Sequence, residues 1–139
     1  MIVLDASLMV EWIIGANGRS AFPGIYQALS DVPVLVPIHW ALEISNALRA
    51  DLRNGSLSAA DFNAILTEFD GIDFHVQAPI DLDEIGPLAR FAVTHDLTTY
   101  DATYVQLALQ QNATLATLDN AMRRAAASLK IPLLPTAAP

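Results

Sequence analysis

The sequence predicts an α/β fold: a central, mainly parallel sheet packed between helices. Three observations carry this. Short apolar, β-prone runs alternate along the chain with segments whose apolar residues recur at helical spacing. Hydrophobic residues make up 53% of the chain and mean hydropathy is +0.38, enough for a large core, a hydrophobic interface or both. The 139 residues suit one domain spanning 1–139, with no internal repeat, low-complexity block or linker.

The elements follow in order. Residues 1–5 form a first apolar strand. From Ala6 to Ile14, Leu8, Met9, Trp12 and Ile13 keep helical spacing, and Gly15 with "NGR" stops the helix. A second helix covers roughly Ala21 to Leu29, with Pro23 in its first turn. "VPVLVP" is a buried strand bracketed by Pro33 and Pro37. A long helix runs from about His39 to Arg53 and ends at "NG". Ser58 caps the next helix, with Asp61 three residues on. "IDFHVQ" alternates like a strand, and "DLDEIGPLARFAVTHD" is a helix with Asp81 and Glu84 at capping-box spacing. "LTTYDATYVQLALQQN" is a helix entered through Thr98 or Thr99. "ATLATL" is a strand, "DNAMRRAAASL" a helix and "IPLLP" a last strand. The tail, about residues 136–139, is expected to be loose.

Composition narrows the functional classes. No apolar run reaches about 18 residues, so no membrane span is expected. The N-terminus lacks a basic flank, and Asp5 and Glu11 interrupt its apolar run, so a soluble, cytoplasmic protein is expected. The absence of cysteine excludes disulfides, thiolate zinc sites and cysteine nucleophiles. A net charge of −8 argues against nucleic acid as a partner. That objection weakens if part of the charge sits inside a metal site.

Ligands of parallel α/β sheets lie beyond the carboxyl ends of the strands. Four acids fall at that edge. Asp5 and Asp119 end strands, Asp101 sits in the first turn of its helix, and Glu43 lies one turn into the helix after "VPVLVP". Asp5, Asp101 and Asp119 can each be read as caps or dipole partners of a helix N-terminus. Glu43 is harder to dismiss. It borders the apolar face formed by Trp40, Ile44, Ala47, Leu48 and Leu52, beside small Ala47 and Ala50. Four carboxylates in one pocket would repel one another and raise each other's pKa, and a divalent cation removes that penalty. Oxygen ligands without cysteine or clustered histidine point to Mg²⁺ or Mn²⁺.

"IVLDASLMVEW", "PIHWALEISNAL", "TTYDATYVQLA" and "LATLDNAM" resemble, in order and spacing, the four motifs of PIN-domain ribonucleases. The closest resemblance is to VapC-type toxins of toxin–antitoxin pairs. The resemblance implies a three-layer α/β/α domain around a mainly parallel sheet. It implies that Asp5, Glu43, Asp101 and Asp119 form the acidic, metal-holding site, with Ser7, Asn46, Thr117 and Asn120 assisting. The implied activity is Mg²⁺- or Mn²⁺-dependent hydrolysis of RNA, leaving a 5′-phosphate and a 3′-hydroxyl. The implied partners are a cognate antitoxin and a second copy of the chain in a homodimer.

Other residues carry weaker signals. Arg123 and Arg124, just after Asp119, are candidates for RNA contact, whereas Arg49 and Arg53 fit a solvated helix face. His75 and His95 read as structural, and His39 opens the Glu43 helix within possible reach of the site. Trp12, Phe22, Tyr26 and Trp40 fit core or interface. Two other functions compete. One is a catalytically idle binding module on the same fold. The other is a phospho-receiver domain, with Lys130 before "IPLLP" as its late lysine. Against the receiver, Asp5 stands alone after the first strand and Asp51 falls inside a helix.

Overall fold

A computed structural model of the chain describes residues 1–15 and 18–136. Five strands, β1 (Ile2–Leu4), β2 (Val34–Val36), β3 (Phe74–Val76), β4 (Thr114–Ala116) and β5 (Leu133–Leu134), form one sheet in the order β3-β2-β1-β4-β5. Every neighbouring pair is parallel. The helices are α1 (Ala6–Ile14), α2 (Gly18–Ala21), α3 (Ile25–Ser30), α4 (Trp40–Asn54), α5 (Ala59–Phe69), α6 (Ile85–Thr94), α7 (Thr99–Gln111) and α8 (Asn120–Ser128). They fill the crossovers that parallel strands require. α1 packs with α2 and α4, whereas α7 packs with α6 and α8.

The central strands explain the apolar content. Val3, Leu4, Leu115 and Ala116 have no exposed surface, as expected for parallel strands covered on both faces. Trp12 stacks on Tyr26, with ring centroids 5.6 Å apart. Trp40 packs against Phe69 and Phe74. These aromatic residues therefore serve the core. β3 is the edge strand, and its Val76 is largely exposed.

Two predicted boundaries move. The helix expected over 21–29 starts later, at Ile25, and Pro23 precedes it rather than opening it. Gly24 adopts φ +83° there, a left-handed turn that a helix cannot continue through and that glycine tolerates. Gly18 and Arg19 of the expected stop signal belong to the short α2 instead, and α1 already ends at its C-cap, Gly15. Asn17 of that signal and residues 137–139 of the predicted tail lie outside the described residues. The "DLDE" entry to α6 begins as a 3₁₀ turn, closed by the expected capping box, with the Asp81 N–H donating to Glu84 Oε2 at 2.9 Å.

Strand order also separates two of the competing functions. Receiver-type sheets run 2-1-3-4-5. The observed order places β1 between β2 and β4, so the chain is not a receiver.

Candidate active site

From β1 the chain moves to β2 on one side, and from β4 it moves to β5 on the other. The carboxyl ends of β1 and β4 thus form the switch point at which such sheets bind ligands. Their register, Leu4 opposite Ala116, sets Asp5 beside Thr117 as both strands end. The Asp5 N–H continues the ladder to the Ala116 carbonyl at 2.9 Å.

Asp5 occupies the N-cap position of α1, yet its side chain makes no capping hydrogen bond. Instead its Oδ2 accepts the hydroxyl of Thr117 at 2.8 Å and that of Ser7. The residue is only 4% exposed. Burial pushes its pKa up from 3.8 to about 6, against the opposing pull of the Ser7 and Thr117 hydroxyls. Glu43 and Asp101 lie close enough to add repulsion in the same direction. Asp5 is therefore held by the site and does not hold the helix.

The loop after β4 is stitched to that carboxylate. The Asp119 N–H donates to Thr117 Oγ1 at 3.0 Å, and the Leu118 N–H to Ser7 Oγ at 3.3 Å. Asp119 caps α8, accepting the Met122 N–H at 2.8 Å. Asp101 lies in the first turn of α7, where Thr98 Oγ1 accepts its N–H at 3.1 Å and donates to its Oδ2 at 2.7 Å. Asn46 and Asn120 are exposed, on α4 and at the start of α8.

Glu43, in the first turn of α4, has a partner that the sequence reading missed. Tyr104, 1% exposed on α7, donates its hydroxyl to Glu43 Oε2. Burial and the two acids Glu43 and Asp5 hold this phenol well above the ordinary tyrosine range. The available signal was spacing: Tyr104 follows Asp101 by three residues, on the same helix face. His39, at the N-cap of α4, sits with Nε2 3.9 Å from Glu43 Oε2 and edge-on to the rings of Tyr100 and Tyr104.

Arg123 departs from expectation. It is buried, and its guanidinium donates to the Thr117 carbonyl at 3.0 Å and the Pro135 carbonyl at 2.9 Å. Those bonds tie the ends of β4 and β5 together and commit the guanidinium to the fold. Arg124, Arg49 and Arg53 are exposed.

Among the described residues, no three histidine, cysteine, aspartate or glutamate side chains make a ready ligand cluster. The four acids therefore do not form a closed cage. Their chemistry still suits a hard divalent cation. The donors are all oxygens, and Asp5 carries a pKa raised in part by its acidic neighbours. Mg²⁺ commonly takes one or two carboxylates and keeps several waters.

An all-parallel α/β domain with a buried acid at its switch point, and Glu43 and Asp101 close enough to repel it, defines the class. The chain belongs to the PIN domain family, whose profile matches residues 2–128. PIN domains are nucleases and generally depend on divalent metal ions. The crystal structure of PAE2754 from Pyrobaculum aerophilum is similar in fold, with a TM-score of 0.65 and 23% identity over 89% of this chain and 84% of that one. A search of curated proteins found no match. Among the described residues, no helix is long and apolar enough to cross a membrane.

Proposed function

We propose that the protein is a metal-dependent endoribonuclease, with Mg²⁺ as its cofactor and Mn²⁺ as a substitute, acting in the cytoplasm as the toxin of a type II toxin–antitoxin pair. The carrying observation is Asp5: a buried carboxylate at the switch point, with a pKa near 6, facing repulsion from Glu43 and Asp101. A fold that leaves such a cost in place has a use for the charge. Asp5, Asp101 and Asp119 would hold the cation, directly or through its waters. The bound cation supplies a lowered pKa for water and charge stabilisation at the phosphate.

The chain's own residues do the rest. Ser7 and Thr117 fix Asp5 through Oδ2. Glu43 would orient the attacking water and take its proton, or complete the shell of the cation. The water oxygen bonds to phosphorus, the bond to the 3′ oxygen breaks, and that oxygen takes a proton from solvent. The products are a 5′-phosphate and a 3′-hydroxyl. Arg124 is the remaining candidate for phosphate contact. Much of the net charge of −8 reflects acids that a cation and a basic antitoxin segment would neutralise. A homodimer accords with the apolar composition.

The test is RNA cleavage by the purified protein. EDTA abolishes it and Mn²⁺ restores it, while Asp5→Ala and Asp101→Ala fold but do not cleave. Variants that cut as well as the parent would reject the site. Expression alone arrests growth, and co-expression of a small antitoxin relieves it. The lack of a ready ligand cluster among the described residues favours one rival, an idle binding module. That rival predicts no Mn²⁺-dependent stabilisation and no cleavage.

A further inference from the structure

The Tyr104 hydroxyl lies between two of the proposed catalytic acids. Its ring is buried on α7 and its hydroxyl donates to Glu43 Oε2 on α4. One oxygen thus ties α7 to α4 at the site. Glu43 needs such a tie. Its side chain is 41% exposed, and Asp5 and Glu43 repel each other, so an untethered Glu43 would swing toward solvent. The rotamer entropy of a long glutamate favours the same escape. Among the described residues, no donor reaches Glu43 Oε1. The geometry therefore leaves one oxygen committed and one open.

We propose that Tyr104 is a positioning residue that pins Glu43 through Oε2, so that Glu43 meets water or cation through Oε1 alone. His39 supports the arrangement. Its ring lies edge-on to Tyr104 with centroids 5.3 Å apart, and its Nε2 is 3.9 Å from the same Glu43 Oε2. The reading rests on the proposed nuclease function and specifies how one of its acids is oriented. Partners of this kind around a metal site change metal affinity or activity by about 10–100-fold when removed.

The experiment is Tyr104→Phe, which deletes the hydroxyl and keeps the ring. Mn²⁺ affinity is measured by calorimetry, independently of catalysis, and kcat and KM are measured on RNA. Mn²⁺ binding weakens and kcat falls, each by about tenfold or more. KM for RNA moves by less than about twofold, because substrate binding is not what the hydroxyl serves. The metal-free unfolding temperature stays near that of the parent. In a Glu43→Gln background the same substitution no longer changes Mn²⁺ affinity, since its effect runs through the carboxylate. Parent-like Mn²⁺ affinity and kcat in Tyr104→Phe would overturn the proposal, as would additive effects in the double variant. A Phe variant that no longer folds overturns it too, because the hydroxyl would then serve stability. A parent that neither binds Mn²⁺ nor cleaves RNA rejects the nuclease reading itself, and the positioning role falls with it.

Discussion

Asp5→Asn should make the metal-free protein more stable while abolishing cleavage. Asparagine has the same size and keeps an oxygen able to accept the Ser7 and Thr117 hydroxyls. What it removes is the charge. The Asp5 pKa is 3.8 in the unfolded chain and about 6 in the native one. The native state thus binds this proton more tightly, and stability falls as pH rises between those two values, then levels off above the upper one. At roughly 1.4 kcal/mol per pH unit, ionised Asp5 costs about 3 kcal/mol at neutral pH. Near pH 4 the cost is under about 1 kcal/mol. Urea unfolding in EDTA measures the difference directly. The variant should be more stable by about 3 kcal/mol near pH 8, a gain of about 10 °C in Tm for a chain of this size, and nearly equal to the parent near pH 4. A variant less stable than the parent at pH 8, or a difference that does not change with pH, would refute the claim that Asp5 is held charged against its own burial.

Mn²⁺ at about a hundred times its Kd should stabilise the parent by about 2.7 kcal/mol and leave Asp5→Asn nearly unmoved, as read by thermal shift. Arg123→Ala should lose about 2–3 kcal/mol, because two carbonyls lose a charged donor. Arg124→Ala should keep its stability and weaken RNA binding, which filter binding at two salt concentrations would register. Thr117→Val should raise the Asp5 pKa further, since it removes a hydroxyl that favours the carboxylate. It should cost about 1–3 kcal/mol above the native pKa, and carboxyl NMR titration would follow the shift.

The alternation of apolar runs with helical segments was enough to read the parallel sheet, and all five strands fall within the predicted runs. Strand order was not readable, because nothing local distinguishes β4 as the partner of β1. Caps were legible where a hydroxyl and an acid stand three residues apart. That pattern also shows why the site was harder. Ser58 and Asp61 make the same reciprocal pair as Thr98 and Asp101, with nearly the same distances. Only topology sets the second pair beside Asp5. Arg123 and Arg124 were equivalent in the sequence, and the rotation of α8 buries one and exposes the other. Tyr104 stayed hidden because a tyrosine on an apolar helix face looks like core, and its ring is core. Its function lies in one hydroxyl.

Their hydrogen-bond partners divide the four acids into two kinds. Asp101 and Asp119 answer local needs. One pairs with Thr98, the other caps α8, and each gains from the helix dipole whatever else it does. Asp5 and Glu43 make no such local capping bond. Asp5 stands at a cap position without capping, and Glu43 is held by a phenol from a helix sixty-one residues away in sequence. Replacing Asp119 should therefore cost stability and activity together, whereas replacing Asp5 should cost activity alone. On that ground we propose that Asp5 and Glu43, more than the two capping acids, carry the chemistry.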